Sequence, residues 1–260
     1  MRLGISLLLS LGFVGWVVQP APAANIEWVF DNAMGDFLFS TSGNWYNDAD
    51  RIAGLDPSLW QRGVPGLEDS AIFKVSGCII DSTMNIGVAK FKGPAYNAGE
   101  SGTLFITGGT VRMFASVNLP PEWRLGNSGG GGLVEMSGGA INIDTNLLIP
   151  RTASSTAVDT FNLHGGSVTV RGALRIFPGH GLLDLANDGT LYVDPAGTNM
   201  IAVQDLITNG LITANQPGFH PEASMTNIGG KDYIKVMAMP EPATLSLLLL
   251  GGLLGMRRRR

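Results

Sequence analysis

Three stretches of the chain carry charged and polar side chains at matching distances from a Gly-Gly pair. The pairs are Gly108-Gly109, Gly138-Gly139 and Gly165-Gly166, and the third and fifth residues after each pair are expected to share one outward face. That face combines carboxylates, guanidinium groups and an aromatic ring, which could together bind a polysaccharide. The candidate residues of this glycan-facing strip are Arg112, Asn142, Asp144, Arg171, Tyr192 and Asp194.

The same strip admits a catalytic and a purely structural interpretation. Glycoside hydrolysis needs two carboxylates about 5–10 Å apart, and Asp144 and Asp194 would lie two stacked strands apart, roughly 9–10 Å. No other feature supports a catalytic pair. Alternation of Asp144, Arg171 and Asp194 is better explained as a cross-strand ion ladder worth about 0.3–1 kcal/mol per pair. We therefore expect no enzyme activity and assign no catalytic residue.

Other groups that could bind a metal are poorly spaced for that role. Asn47, Asp48 and Asp50 form an oxygen-rich segment that suits Ca²⁺, but the EF-hand pattern is absent and a capping turn is favoured. The histidines are not spaced as a zinc site; they are His164, His180 and His220. The sequence thus predicts no metal site and no cofactor, with Ca²⁺ as the alternative.

Cys78 is the only cysteine of the chain, which excludes an intrachain disulfide. It lies in the apolar run Cys78-Ile79-Ile80, so a buried structural thiol is favoured over a nucleophile. The run Gly129–Gly132 is interpreted as a turn rather than a phosphate loop, because neither a helix nor a lysine follows it.

The elements that would position the strip form an internal repeat. The Gly-Gly pairs are spaced by 30 and 27 residues, and each unit shows apolar–polar alternation before the pair, after it and once more further on. The matched apolar positions are Leu104/Val134/Phe161, Ile106/Met136/Leu163, Val111/Ile141/Val168, Met113/Ile143/Val170, Val117/Leu147/Leu174 and Leu119/Ile149/Ile176. Each Gly pair is expected to supply a tight turn with positive φ.

Three short strands per unit predict an all-β fold, a right-handed parallel β-helix (β-solenoid) with an N-terminal cap. An antiparallel β-sandwich is the alternative. The solenoid is favoured because a sandwich has no reason to repeat three strands in register.

The repeat weakens towards both ends. A fourth unit keeps the second strand at Leu191 and Val193, whereas Leu183 and Leu185 of its first strand stand one residue out of phase. Its third-strand positions fall on Gly197 and Asn199, so the pattern ends there. Upstream, the predicted N-terminal cap plugs the first coil with aromatic rings, namely Trp28, Trp45 and Phe73.

Residues 1–24 are interpreted as a signal peptide. Arg2 precedes an apolar run of about a dozen residues, which is short for a membrane span. Ala21-Pro22-Ala23 provides the small residues that signal peptidase requires, and cleavage after Ala23 is expected. A retained N-terminal anchor is the alternative.

The C-terminus predicts a second targeting element. Pro240-Glu241-Pro242 precedes an uncharged run from Thr244 to Met256, and four arginines follow, Arg257, Arg258, Arg259 and Arg260. Arginines cross a membrane at high cost, so the run is expected to form a short transmembrane stop-transfer helix.

This C-terminal arrangement closely resembles the PEP-CTERM sorting signal over about the last 22 residues. The resemblance implies a Gram-negative bacterium and processing by an exosortase near the Pro-Glu-Pro motif. It further implies transient anchoring in the inner membrane and delivery to the cell surface or an exopolysaccharide matrix. A plain C-terminal anchor is the alternative.

The body of the chain is similar to repeats of exported bacterial β-helix proteins of the autotransporter-associated and PEP-CTERM type. The similarity covers roughly residues 85–215 and includes the Gly-rich preface Gly126–Gly132. Gly43–Asp50 and Gly63–Phe73 resemble part of the opening that precedes such solenoids. These resemblances imply architecture; in β-helix lyases and hydrolases a comparable strip holds an acidic polysaccharide.

Charge argues against nucleic acid as a partner. Residues 24–239 carry 12 Lys and Arg against 20 Asp and Glu, a net charge of −8, whereas phosphate binding depends on Lys and Arg. Glycine is abundant, at 36 of 260 residues, without a triplet period, so collagen is excluded.

The sequence therefore predicts an exported, non-catalytic structural or adhesion protein, with signal peptidase, exosortase, the membrane and an exopolysaccharide as partners. A β-helical polysaccharide lyase or glycoside hydrolase is the alternative. The predicted organisation is a signal peptide (1–24), an N-terminal cap with the first strands (25–84), β-helix coils (85–215), a C-terminal cap and linker (216–238) and a sorting tail (239–260).

Overall fold

The structure is a computed structural model that describes residues 27–31, 33–67, 69–73, 77–88, 90–94, 101–114, 122–126, 131–150 and 157–241. Of the predicted targeting residues, Pro240 and Glu241 are described. The others lie outside the described residues: Ala21, Ala23, Pro242 and Arg257–Arg260. The chain winds into a β-solenoid of about four turns, which confirms the predicted parallel β-helix and not the sandwich.

Eighteen strands and two α-helices occur within the described residues. In chain order they are β1 (Glu27–Phe30), β2 (Trp45–Asn47), α1 (Asp48–Ile52), β3 (Ser70–Phe73), β4 (Cys78–Ile80), β5 (Asn85–Val88), β6 (Lys90–Lys92), β7 (Ser101–Ile106), β8 (Thr110–Met113), β9 (Glu122–Arg124), β10 (Gly131–Ile143), β11 (Asn146–Ile149), β12 (Asp159–Val170), β13 (Leu174–Ile176), β14 (Gly181–Leu185), β15 (Thr190–Val193), α2 (Met200–Thr208), β16 (Ile212–Thr213), β17 (Phe219–Ile228) and β18 (Lys231–Pro240).

Two long sheets run along the stack of coils. The first and second strands of the coils build an eleven-stranded sheet, whose main path is β17-β18-β15-β12-β10-β7-β4. The third strands build a seven-stranded sheet in the order β13-β11-β9-β6-β3-β1-β2. Most neighbours are parallel; antiparallel pairing occurs where β2 covers β1 and where β18 joins β15 and β17.

The predicted columns of the first two strands are confirmed. Val134 lies between Leu104 and Phe161, and Ile141 lies between Val111 and Val168. All six side chains are at most 1% exposed. Burying the same position of every coil gives the solenoid one continuous apolar core, so the period-2 pattern is the direct cause of the stack.

The Gly-Gly pairs bend the chain where the sequence predicted a turn. Gly108-Gly109 lies between β7 and β8, whereas Gly138-Gly139 and Gly165-Gly166 lie within β10 and β12, where the pairing register shifts. Gly109, Gly139 and Gly166 have φ of 74°, 85° and 74°, a region that L side chains avoid. A Cβ on Gly139 would also lie 2.6 Å from the backbone of Gly108. Glycine is therefore required both for the positive φ of the bend and for close stacking of one coil on the next.

The prediction for the third strand was wrong in one coil. Leu147 pairs with Leu174 as expected, but its other neighbour is Trp123 rather than Val117. The strand thus starts six residues later than a fixed offset predicts, because the corner before it is longer. Val117 and Leu119 lie outside the described residues.

The fourth coil corrects a second expectation. Leu183 and Leu185 pair with Phe161 and Leu163, so its first strand is in phase. The extra residue sits in the following turn, where Asn187 has a φ of 53°. The predicted break at the third strand is real: Asn199 caps helix α2, which replaces that strand.

The two ends of the solenoid are covered differently. At the N-terminus, Trp45 packs edge-on against Phe39, Phe30 and Phe73 with ring centroids 4.7, 5.1 and 5.6 Å apart. This confirms that Trp45 and Phe73 plug the first coil, and Trp28 is buried beside them. At the other end, α2 and the β17–β18 hairpin cover the last coil, and β18 extends to Pro240.

Candidate functional site

The predicted strip lies on the outer side of the eleven-stranded sheet, as its spacing indicated. Asn142 stands opposite Arg112 on one side and Thr169 on the other, and Tyr192 follows Thr169. The neighbouring row begins where the second strands end: the N–H groups of Asp144, Arg171 and Asp194 bond to the preceding coils at 2.8–3.0 Å. The stacking of the coils therefore sets the spacing of the strip.

Asp144 is the centre of an ion ladder that spans three coils. Its Oδ2 accepts hydrogen bonds from Nε and Nη2 of Arg112 at 3.2 and 3.1 Å, and its Oδ1 accepts one from Nη1 of Arg171. The Asp144 side chain is 16% exposed, whereas Arg112 and Arg171 are 49% and 39% exposed. The carboxylate thus lies beneath two cations that face the solvent.

The C-terminal hairpin extends the ladder, which the sequence did not indicate. The Lys231 ammonium lies 2.5 Å from Asp194 Oδ2 and lowers the pKa of this carboxyl. The pKa of Arg171 is raised, first by its hydrogen bond with the Tyr233 side chain and also by the negative charge of Asp144. Tyr233 also packs against Tyr192 with ring centroids 6.4 Å apart. The far end of the strip therefore presents the Lys231 cation and the half-buried ring of Tyr192, which packs on the buried ring of Tyr233.

These contacts determine what the strip can do chemically. Both oxygens of Asp144 are engaged by guanidinium groups, and Asp194 is held in its charged form by Lys231. A glycosidase needs one carboxylic acid that keeps its proton at the working pH. Asp194 does not meet that requirement, and the guanidinium groups occupy both oxygens of Asp144. The exposed cations suit the binding of an anionic ligand.

The oxygen-rich segment at Asn47 is used by local structure. Asn47 Oδ1 accepts the N–H of Ala49 at 3.0 Å, and Asp50 Oδ2 accepts the N–H of Gln61 at 2.6 Å. Asp48 is buried at the start of α1. This is the capping turn that the sequence favoured over a calcium loop. Among the described residues, no group of three or more His, Cys, Asp or Glu is arranged to hold a metal ion.

His164 has a specific partner that the sequence did not reveal. Its Nε2 lies 3.1 Å from Asp184 Oδ2, and Asp184 Oδ1 accepts bonds from Thr213 Oγ1 and the N–H of Asn215 at 2.8 and 2.9 Å. His164 is therefore held by a carboxylate of the next coil. This polar network joins the last coils and leaves the Asp184 carboxylate fully occupied.

Two smaller expectations have clear outcomes. Cys78 is completely buried, and burial raises the pKa of its thiol well above the usual range, as expected of a structural cysteine. Of the Gly-rich run, only Gly131 and Gly132 are described, and they pair with Ser101 and Gly102 at the start of β10 instead of forming the predicted turn.

Sequence reasoning also missed a charged row on the outer side of the seven-stranded sheet. Lys90 lies 3.1 Å from Glu122, Arg124 also pairs with Glu122, and Lys92 pairs with Glu27. The three cationic residues are at most 8% exposed. The sequence contains a pattern that indicates this row: Lys-Phe-Lys at 90–92 and Glu-Trp-Arg at 122–124. In each segment one aromatic side chain points inward between two charged side chains that point outward.

Within the described part of the chain, no helix has both the length and the hydropathy needed to cross a membrane. Comparison with protein-family models, with curated proteins and with solved structures gave no match.

Proposed function

We propose that this protein is an exported, non-catalytic structural or adhesion protein of the cell surface or an exopolysaccharide matrix. The observation that carries this proposal is the ladder in which Asp144 holds Arg112 and Arg171. It fixes a row of solvent-facing cations on a rigid parallel stack. A surface of this kind favours contact with anionic glycans over acid–base chemistry on them.

The rigidity of the scaffold supports a structural role. Strip residues on successive coils are linked through backbone hydrogen bonds as well as salt bridges. The spacing between their side chains is therefore set before any ligand arrives, which lowers the entropic cost of binding. A repeating polymer presents its own charges at regular intervals, so a fixed ladder and a regular glycan are complementary.

Delivery to the surface is the role proposed for the two ends of the chain. In this proposal, signal peptidase removes residues 1–24, and an exosortase processes the tail near Pro240-Glu241-Pro242. Because β18 includes Pro240 and the N–H of Glu241 bonds to Gly218 O, a truncation that spares the fold should begin at residue 242.

Cell fractionation tests the sorting step. Removal of residues 242–260 should shift the protein from the surface or matrix fraction to the periplasm or the medium. A control with all four terminal arginines replaced by lysine keeps the charge and should remain surface-retained. Unchanged retention of the truncated chain would overturn the sorting proposal.

Incubation with polysaccharides tests the absence of catalysis. The purified full-length protein should release neither reducing ends nor unsaturated products from acidic polysaccharides, with or without Ca²⁺. Turnover that disappears in Arg171→Ala would establish a β-helical lyase or hydrolase instead.

A further inference from the structure

A groove lies at the N-terminal end of the strip, between strand β5 and the segment formed by residues 63–67. Its main hollow has a volume of about 500 Å³ and extends from Phe39 to Gly87. A second hollow of about 240 Å³ continues it to Arg112 and Phe114. Both volumes share Leu67 and Gly87, so they form one groove of the size that small-ligand sites have.

Gly87 creates the floor at which the two hollows meet. It lies in β5 directly beside Arg112, in the column that later coils fill with Asn142, Thr169 and Tyr192. A Cβ at Gly87 would lie 2.4 Å from Cδ2 of Leu67. The absence of a side chain at this position therefore lets Leu67 pack against the strand where the two hollows meet.

The wall of the groove is fixed in place. Asp69 Oδ2 accepts hydrogen bonds from the N–H of Gly66 at 2.9 Å and from Nε1 of Trp28 at 3.0 Å. The ring of Trp28 in turn packs against Gly63, where a Cβ would lie 2.5 Å from it. Such a wall does not need to be ordered on binding, so the groove is preorganised.

The lining combines an apolar surface with hydroxyl and amide groups and one cation. Leu67 and Phe114 supply the apolar part, Thr83 and Asn85 the polar part, and Arg112 the charge. The described lining residues include no carboxylate. Arg112 packs 4.6 Å from the centroid of Phe114 and uses Nε and Nη2 for Asp144. Within the described part of the chain, the N–H groups of its Nη1 are left for a further acceptor.

We propose that this groove binds an acidic oligosaccharide, with the carboxylate of one sugar ring on Arg112. The apolar face of a sugar ring fits Leu67 and Phe114, and its hydroxyl groups match Thr83 and Asn85. The choice of ligand class rests on the proposed function, because the groove opens onto the same strip. The groove would act as the end site from which a longer chain continues along the ladder.

Calorimetry on the full-length protein in mild detergent tests this site. The probes are tetramers of galacturonate, mannuronate and glucuronate, each compared with its neutral methyl ester. At least one acid should bind, and its ester should bind about tenfold more weakly or worse, because a charged hydrogen bond is lost. Asn85→Ala and Arg112→Gln should weaken binding of the acid by a similar factor.

Matched controls separate the groove from other surfaces. Asn162→Ala and Arg175→Gln change the same residue types outside the groove and should leave the affinity within about twofold. The site is overturned if none of the three acids binds, if acid and ester bind equally, or if Tyr192→Ala costs as much as Asn85→Ala. In any of these cases, relocation of the chain lacking residues 242–260 would leave the proposed function standing.

Discussion

Replacement of Asp159 by asparagine should make the protein more stable at neutral pH and leave it little changed in acid. Asp159 begins β12 and has no exposed surface. Its Oδ1 accepts the N–H of Gly132 at 2.6 Å, whereas Oδ2 has no hydrogen-bond partner among the described residues. Burial raises the pKa of this carboxyl to about 7, against the opposing effect of the Gly132 hydrogen bond.

The size and sign of the effect follow from that pKa. The carboxyl titrates near 3.8 in the unfolded chain and near 7 in the folded one. Between these values the folded state holds the extra proton, so its stability falls as the pH rises. This difference in pKa corresponds to about 4 kcal/mol of stability. Asparagine keeps the acceptor for Gly132 and carries no charge, so Asp159→Asn should remove this loss.

Urea-unfolding midpoints measured from pH 4 to pH 8 test the prediction. The advantage of Asp159→Asn over the wild type should be near zero at pH 4, grow towards pH 7 and then stay constant. Asp194→Asn is the control of opposite sign, because Lys231 lowers the pKa of Asp194. Its destabilisation should stay nearly constant from pH 8 to pH 4 and fade only at lower pH, because the contribution of a carboxyl with a lowered pKa is lost only below its unfolded pKa of 3.8. An advantage of Asp159→Asn that does not change with pH would refute the reasoning.

Three further substitutions test the packing and the ladder by the same unfolding measurement. Gly139→Ala should lower the free energy of unfolding clearly more than Gly179→Ala. Both glycines have positive φ, but only a Cβ at Gly139 would meet backbone, at 2.6 Å. The control Gly179→Ala should cost about 1 kcal/mol, and equal losses for the two variants would contradict the stacked turn. Phe161→Ala removes a fully buried ring 5.4 Å from Trp123 and should cost about 3–5 kcal/mol, whereas the exposed Phe105→Ala should cost about 0.5 kcal/mol or less. Asp144→Asn should cost about 0.5–1 kcal/mol at low salt and less at high salt, with Asp205→Asn as the exposed control; an effect that salt leaves unchanged would argue against an ion ladder.

The sequence was sufficient to predict the parts of the fold in which one coil repeats another at a constant spacing. The columns through Val134 and Ile141 follow from period-2 alternation around a glycine turn, and both are fixed locally. Corner lengths are not fixed in this way, since a corner can lengthen at the surface without disturbing the stack. That is why Trp123 was missed as the neighbour of Leu147 and why the first strand of the fourth unit, with Leu183 and Leu185, was predicted to be one residue out of phase.

The aromatic core shows the same limit. Phe73, Phe91, Trp123 and Phe161 pack edge-to-face with centroids 5.2–5.4 Å apart. Each ring is visible in the sequence, but their succession depends on corners of unequal length.

Long-range contacts explain what the sequence could not predict about the candidate site. The strip residues were placed correctly because they belong to the repeat, whereas Lys231 and Tyr233 reach it from a hairpin that runs antiparallel to β15. The groove likewise depends on residues 63–67 lying against β5. The hydrogen bond from Gly66 to Asp69 fixes this arrangement, and the sequence alone does not show that contact.

Disulfide trapping between neighbouring coils tests the central claim, a parallel stack in register, most directly. Glu135 lies opposite Asn162, and Asn142 lies opposite Thr169. Adjacent strands are about 4.8 Å apart, within reach of a disulfide. Parallel stacking therefore predicts that E135C/N162C and N142C/T169C both cross-link under mild oxidation, while E135C/T169C and N142C/N162C do not. Cross-linking of the second two pairs instead of the first two would show antiparallel strands and contradict the solenoid.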